Sequence, residues 1–174
     1  MDEEELKRRD AEAQRGIDAA HAAAEGVSGL LRSKKMHEND ISREIIGAAI
    51  EVHREVGPGI LEKPYEEAMC HELNLRRLPF VRQTPVPFVY KGVQLSVDLR
   101  TDLVVAGKVI VDLKAKDQVT AVDKLKVLTY LRLLNLRLGL VINFHTAVLK
   151  DGIYRVVNNL APRDEPPETP NLHS

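Results

Sequence analysis

The sequence contains a single cysteine, Cys70, and no tryptophan, and only 4% of its 174 residues are aromatic. One cysteine excludes both an internal disulfide framework and a zinc site built from several cysteines. Because aromatic side chains are scarce, we expect a core of aliphatic residues. The sequence has no run of 18 apolar residues, which argues against a transmembrane helix, and its charged N-terminus lacks the apolar segment of a secretory signal. We therefore expect a cytoplasmic protein without a membrane partner.

Neither sign of charge dominates the chain, which has 25 basic and 26 acidic side chains and a formal net charge of -1. That balance excludes a protein that coats nucleic acid with an overall basic surface. The distribution is uneven, because residues 39–160 carry a net charge of +3 while residues 1–38 and 161–174 each carry -2. We interpret residues 1–38, which are rich in Ala, Glu and Arg, as an exposed helical arm, and the proline-rich residues 161–174 as a disordered tail. Residues 39–160 then form the compact domain.

Apolar residues in the compact domain recur first with the period of a helix and then with that of a strand. The 3.6-residue period predicts a helix from Ile41, capped by Asn39 or Asp40 and ended at Gly57. The later pattern predicts helices over 62–77 and 121–134 and strands that begin near residues 86, 93, 101, 108, 138 and 153. The sequence therefore predicts an α/β fold with one mixed central sheet flanked by helices.

Asp112 and Lys114 interrupt the otherwise apolar run VIVDLK. Residues two apart share one face of a strand, so this carboxylate and this ammonium lie side by side. A three-residue loop at 106–108 would place Asp102 across from Asp112, whereas a two-residue loop would turn the two carboxylates to opposite faces; a bend near Asp102 would also bring them together. Neighbouring carboxylates repel unless a cation or a proton lies between them, and Mg²⁺ is bound by such groups. An ordinary ion pair at a strand end is the alternative interpretation.

Glu62 begins the second predicted helix, where an acidic residue is favourable by itself because of the helix dipole. It also belongs to the segment GILEKPY, which fits the spacing that names the GxxExxY protein family. The surrounding blocks fit as well and follow in order: IIGAAIEVHREVGPGILEKPYEEA, QTPVPFVYKGV, DLRTDLVV, VIVDLKA, LTYLRLLNLRLGLVINF and LKDGIYR. From about residue 41 to residue 157 the chain resembles this family, which in turn resembles the PD-(D/E)XK nuclease superfamily.

The resemblance implies a restriction-endonuclease-like α-β-β-β-α-β core and a metal-dependent phosphodiesterase site within residues 39–160. It implies that Asp102 and Asp112 ligate Mg²⁺ or Mn²⁺ with support from Glu62, and that Lys114 activates the attacking water. The chain departs from the family pattern at two positions. Asp112 stands where the family more often has Glu, and Lys126 stands where the following helix usually carries a Gln. A lysine cannot accept a hydrogen bond as Gln can, although it could contact a phosphate.

Residues 114–137 carry a net charge of +4, which is consistent with a polyanionic ligand, although a solvated helix face would have the same composition. The expected nucleic-acid contacts, to DNA more than RNA, are Lys116, Lys124, Lys126 and Arg132. The leading hypothesis is a nuclease that hydrolyses phosphodiester bonds, and the intact set of Asp102, Asp112 and Lys114 favours it. The alternative, which Lys126 favours, is a catalytically inactive module of the same fold that binds DNA or a protein partner. A third possibility is a small toxin-like or regulatory protein whose N-terminal arm binds a partner. No feature of the sequence indicates a homo-oligomer.

Overall fold

The computed structural model describes residues 36–161. The helical arm predicted for residues 1–38 and the disordered tail predicted for residues 161–174 therefore lie outside the described residues, apart from 36–38 and Ala161. In chain order the elements are α1 (Glu38–Val56), α2 (Glu62–Leu75), β1 (Phe80–Pro85), β2 (Phe88–Tyr90), β3 (Val93–Leu95), β4 (Arg100–Val105), β5 (Val109–Lys114), α3 (Ala121–Leu133), β6 (Leu138–Asn143), a 3₁₀ helix (Leu149–Gly152) and β7 (Ile153–Val157).

Five of the strands form one mixed sheet in the order β1-β4-β5-β6-β7. The pairs β1–β4, β4–β5 and β6–β7 are antiparallel, whereas β5 and β6 run parallel because α3 connects them as a crossover. Helices pack on both faces of this sheet. The predicted α/β class, with a mixed central sheet flanked by helices, is confirmed.

The alternation of side chains along β5 divides the core into two layers. Val111 and the other odd-numbered residues of the strand belong to the apolar cluster beneath α1 and α2. Ile110 points to the opposite face and belongs to a second cluster with Val127 of α3. Because side chains two residues apart share a face, Asp112 and Lys114 lie on the α3 side of the sheet.

Strand β1 was not predicted from the sequence, because prolines bound it and most of its residues are exposed. Proline is tolerated at the edge of a sheet, where a missing N–H costs no ladder hydrogen bond, and β1 is such an edge. Strands β2 and β3 pair only with each other, in a separate two-stranded sheet. The expectation of one single sheet was wrong for this hairpin, whose side chains are mostly exposed and have little apolar surface packed on the core.

The boundaries of the first two helices differ slightly from the predicted ones. Helix α1 begins at Glu38, and its N-cap is His37, whose Nδ1 accepts a hydrogen bond from the Asn39 N–H at 3.1 Å. Helix α2 ends at Leu75, two residues before the predicted end. Among residues 36–161, no helix combines the length and the apolar character that a membrane span requires.

Candidate active site

The loop between β4 and β5 contains three residues, so the first of the two loop lengths considered above applies. Val105 pairs with Val109, and Leu103 pairs with Val111. Ala106 and Gly107 have positive φ angles of 54° and 65°, and the Lys108 N–H closes the turn on the Val105 carbonyl at 3.0 Å. This register sets Asp102 opposite Asp112 on the α3 side of the sheet.

Asp102 lies where the backbone ladder opens on both sides of β4. Toward β5 the pairing ends at Leu103, and the next amide, the N–H of Leu113, donates to Oδ2 of Asp102 at 2.7 Å. Toward β1 the register omits Gln83, which faces Asp102 and has a φ of 47°. The Asp102 carboxylate therefore occupies a gap in the sheet and caps an amide of the neighbouring strand.

Asp112 lies at the centre of the site and is only 2% exposed. Each of its carboxylate oxygens contacts a different ammonium group: Lys114 Nζ lies 2.6 Å from Oδ2, and Lys126 Nζ lies 3.0 Å from Oδ1. The Oδ2 atom is buried, and the Lys114 contact to it is an ion pair without hydrogen-bond geometry. Lys114 instead donates a hydrogen bond to the Leu113 carbonyl at 3.0 Å.

Lys126 reaches Asp112 because helix α3 packs closely on the sheet. Gly139 of β6 has no side chain to hold the helix away, and a Cβ there would come within 2.5 Å of Val127 Cγ1. The helix begins with a capping box, in which the Asp123 N–H donates to the Thr120 hydroxyl and the Thr120 N–H donates to the Asp123 carboxylate. The close packing at Gly139 and the capping box together determine how far α3 lies from β5 and where its first turn begins.

Glu62 is the first residue of α2 and follows a turn that needs glycine. Gly57 and Gly59 have φ angles of 74° and 104°, in the region that favours glycine. The Tyr65 hydroxyl donates to the Gly57 carbonyl at 2.7 Å, and its ring stacks on Phe144 at a centroid distance of 4.4 Å. The spacing Gly59–Glu62–Tyr65 thus has a structural basis, since the tyrosine anchors the turn that presents the glutamate.

The position of α2 is also fixed from the sheet side. Arg82 of β1 donates to Glu66 at 3.0 Å and also binds Glu67, and the Gln83 amide donates to Glu66 at 3.1 Å. Glu66 lies one helical turn after Glu62. These contacts connect the strand that faces Asp102 to the helix that carries Glu62.

The charged groups of the site shift one another's pKa values. Glu62 is exposed overall, but partial burial of its carboxyl raises its pKa. The positive charge of Lys114 acts to lower that pKa, and the negative charge of Asp102 acts to raise it further. Burial also raises the pKa of Asp102, against the stabilising Leu113 N–H. Burial alone would lower the pKa of Lys126, but the attraction of Asp112 keeps it above its ordinary value. We call the five residues the carboxylate–lysine cluster: Glu62, Asp102, Asp112, Lys114 and Lys126.

Lys116 and Lys124, which were also expected to contact nucleic acid, have partners outside this cluster, and Arg132 is exposed on α3. Lys116 is paired with Asp123 at 2.6 Å. Lys124 lies over the ring of Tyr154 of β7, at 4.3 Å from its centroid. Lys124 and Lys126 are two residues apart on α3, so they point to different sides of the helix. Of the four residues named for this role, the structure brings only Lys126 into the cluster.

Asn143, at the end of β6, supports the site, and the sequence interpretation gave it no role. Its side chain is buried, accepts from the Lys116 N–H at 3.1 Å and donates to the Lys116 carbonyl at 2.6 Å. The Phe144 N–H donates to the Lys114 carbonyl at 2.8 Å. The segment after Lys114 is therefore tied to β6. The available signal was a polar residue ending the apolar run LGLVIN.

The cluster offers the donor atoms that a hard divalent cation prefers, which are carboxylate oxygens. Oδ2 of Asp112 is buried without a hydrogen bond, and Asp102 leaves Oδ1 outside its bond to Leu113. Within residues 36–161, however, no group of three or more His, Cys, Asp or Glu side chains is close enough to hold a metal ion. Among the described residues, Asp102 and Asp112 therefore supply carboxylate oxygens, but the protein does not form a complete cage of ligands around a metal ion.

Most of the compact domain matches the model of a protein family. The family model of the PD-(D/E)XK nuclease superfamily matches residues 39–156, which is more than half of the chain and includes all five cluster residues. No curated protein matches the chain, and no solved structure does.

Proposed function

The chain belongs to the PD-(D/E)XK nuclease superfamily, and from this we propose that it hydrolyses phosphodiester bonds in nucleic acid at the carboxylate–lysine cluster. Its mixed sheet with helices on both faces has the restriction-endonuclease-like fold of that superfamily. Within the superfamily, we assign it to the GxxExxY family, on the pattern of Gly59, Glu62 and Tyr65.

One observation carries the proposal. Asp112 is buried, stands two residues before Lys114, and contacts the ammonium groups of both Lys114 and Lys126. Burying a charge is costly unless it is compensated, and the carboxyls of Asp102 and Asp112, which the strand register sets opposite each other, repel. An arrangement that costs stability and concentrates oxygen donors beside a lysine is typical of a functional site rather than a structural ion pair.

The cluster residues have distinct roles in this proposal. Asp102 and Asp112 would hold a divalent ion such as Mg²⁺ or Mn²⁺. Glu62, at the start of α2, would add a third negative charge near the ion. The ion, when bound, supplies a Lewis acid for the phosphate and lowers the pKa of a bound water. Lys114, fixed by the Leu113 carbonyl, would orient the attacking water and stabilise negative charge on the phosphate. Water adds to phosphorus and one ester P–O bond breaks, leaving a phosphate monoester and a hydroxyl.

We propose that the substrate is a double-stranded nucleic acid. The compact domain has a net charge of +3, and phosphate contacts by basic side chains account for much of the affinity for nucleic acid. The scarcity of aromatic residues disfavours recognition of single strands by base stacking.

Cleavage of plasmid and oligonucleotide DNA with Mg²⁺ or Mn²⁺ tests this function. We expect cleavage by the wild-type protein, and a loss of at least about a hundredfold in Asp112→Asn and Lys114→Met, since each removes a group that acts on the reacting phosphate. Glu55→Gln is the matched control, because Glu55 is an exposed carboxylate on α1 outside the cluster. Cleavage that persists in Asp112→Asn would overturn the proposed site.

A second candidate function is a catalytically inactive module that binds DNA or a protein partner. It is favoured by Lys126, which contacts the same carboxylate that a metal ion would need. This function predicts that no substrate is cut with either ion, that DNA binding persists, and that Asp112→Asn leaves that binding unchanged.

A further inference from the structure

Lys126 belongs to the carboxylate–lysine cluster, but none of the proposed catalytic roles uses it. Its ammonium contacts Oδ1 of Asp112 at 3.0 Å and comes from a different layer of the fold than Lys114 does. A divalent ion that uses Asp112 as a ligand would meet this ammonium at the same carboxylate, and two cations on one carboxylate repel.

The two lysines that bind Asp112 are not equally fixed. The Lys114 side chain is 13% exposed and also donates to the Leu113 carbonyl. The Lys126 side chain is 38% exposed, and its second neighbour is the face of the Tyr130 ring, at 5.4 Å from the centroid. A half-exposed lysine has a long, flexible stem and an open path to solvent. Lys126 is therefore the lysine that can leave Asp112.

The charge balance of the cluster shows what would make Lys126 leave. Its three carboxylates and two ammonium groups give a net charge of -1 when all are ionised. A divalent ion alone would turn this into +1, whereas the ion together with one phosphodiester would bring it to zero. Without the Lys126 charge the cluster would be at -2, and the ion alone would neutralise it. Charge balance thus favours an ion alone only when position 126 is neutral.

From this geometry we propose that Lys126 couples the two ligands of the site: it competes with the divalent ion for Asp112 and moves to the substrate phosphate when both bind. The proposal rests on the function proposed above. Its consequence is that the protein without nucleic acid binds the ion weakly, and that a phosphodiester strengthens ion binding. Because linkage is reciprocal, the ion must strengthen phosphodiester binding by the same factor.

Mn²⁺ titrations followed by electron paramagnetic resonance test the coupling, because they detect binding without relying on cleavage. Wild type, Lys126→Gln, Lys126→Met and Lys126→Arg are compared, with and without a short phosphorothioate DNA duplex that resists hydrolysis. We expect both neutral variants to bind Mn²⁺ about tenfold more tightly than wild type in the absence of DNA. Lys126→Arg should behave as wild type. Lys91→Gln is the matched control, since Lys91 also lies over a tyrosine ring, that of Tyr90, but in the turn after β2 and outside the cluster.

The duplex should strengthen Mn²⁺ binding about tenfold in wild type and less than about twofold in Lys126→Gln. Fluorescence anisotropy of the duplex should show the same factors when Mn²⁺ is added. Equal Mn²⁺ affinities of wild type and Lys126→Gln without DNA, or an equal effect of DNA on both, would overturn the coupling. If Asp112→Asn does not weaken Mn²⁺ binding, the metal site itself is wrong. If the coupling holds but no substrate is ever cut, only the nuclease function fails.

Discussion

Gly139 of β6 lies directly beneath Val127 of α3, so close that an added Cβ would come within 2.5 Å of the valine methyl. The next residue along the helix toward its N-terminus is Lys126, which binds Asp112. A glycine in a buried strand therefore sets the distance at which a lysine meets a carboxylate of the candidate site.

Gly139→Ala should push α3 away from the sheet. We expect a loss of about 1–3 kcal/mol in the free energy of unfolding, as for other overpacked cores, measured by urea denaturation. Gly47→Ala is the control, because its Cβ would meet only the tip of the flexible Arg76 side chain, and alanine gains up to about 1 kcal/mol over glycine inside a helix. Equal stabilities of the two variants would contradict this account of α3 packing.

Asp112→Asn should destabilise the protein more than Lys126→Gln does. Removing the buried carboxylate leaves two ammonium groups without their counterion, which we expect to cost about 2 kcal/mol. Removing the half-exposed Lys126 leaves Asp112 paired with Lys114 and should cost less than about 1 kcal/mol. Chemical denaturation of both variants at one pH and ionic strength checks the order, and the reverse order would show that Lys126 is the main partner of Asp112.

The raised pKa of Asp102 predicts that its contribution to stability depends on pH. The folded protein holds the Asp102 proton more tightly than the unfolded chain does, mainly because the carboxyl is buried. This contribution is present below the ordinary pKa of 3.8 and is lost as the pH rises through the raised value. Relative to wild type, Asp102→Asn should therefore become more stable as the pH rises from about 4 to neutrality. Urea denaturation of both proteins across this pH range measures the difference, and a difference that stays constant with pH would contradict this account.

The capping box of α3 should make a measurable contribution to stability. Thr120→Ala removes the acceptor for the Asp123 N–H, and such a change costs about 1 kcal/mol. Thr120→Ser keeps the hydroxyl and serves as the control. Burial acts to raise the pKa of Asp123, but the hydrogen bonds from Lys116 and Thr120 bring it down to about 2. Their stabilising effect is present above the ordinary pKa of 3.8 and should fade in acid denaturation as the pH falls toward 2.

Tyr65→Phe should test whether the tyrosine anchors the turn before Glu62. The hydroxyl donates to the Gly57 carbonyl, and its loss should cost about 1 kcal/mol while the ring keeps its stacking on Phe144. If the hydroxyl anchors the turn, amide hydrogen exchange at Gly57 and at residues 59–62 should become faster in this variant, with no change on β6. Unchanged exchange in the turn would limit Tyr65 to a packing role.

The class of the fold could be predicted because its helices and central strands have clear hydrophobic periods. The β1 strand could not, because its end prolines and exposed side chains are equally typical of a loop, and only its pairing with β4 makes it a strand. The two-stranded sheet was missed for a similar reason, since alternation predicts a strand but not which sheet it joins.

For the candidate site, the sequence placed Asp112 beside Lys114 by alternation alone, and the spacing left the position of Asp102 open. The loop length that settles the register depends on positive φ angles at Ala106 and Gly107, and alanine gives no sequence signal for such a conformation. The contact between Lys126 and Asp112 depends on a helix height that Gly139 sets 13 residues later in the chain. Contacts between a helix and the sheet below it leave no periodic pattern in the sequence, so they could not be predicted from it.

The hydrogen bond between the Asp102 carboxylate and the Leu113 N–H determines how mutants of this site must be interpreted. The same side chain closes the end of a strand pair and offers an oxygen to a ligand, so truncation to alanine removes both at once. If Asp102→Ala were inactive, the cause could be either the disturbed backbone at Leu113 or the loss of a metal ligand. Asparagine keeps an amide oxygen for Leu113 while removing the negative charge, so only that substitution separates a loss of chemistry from a loss of shape.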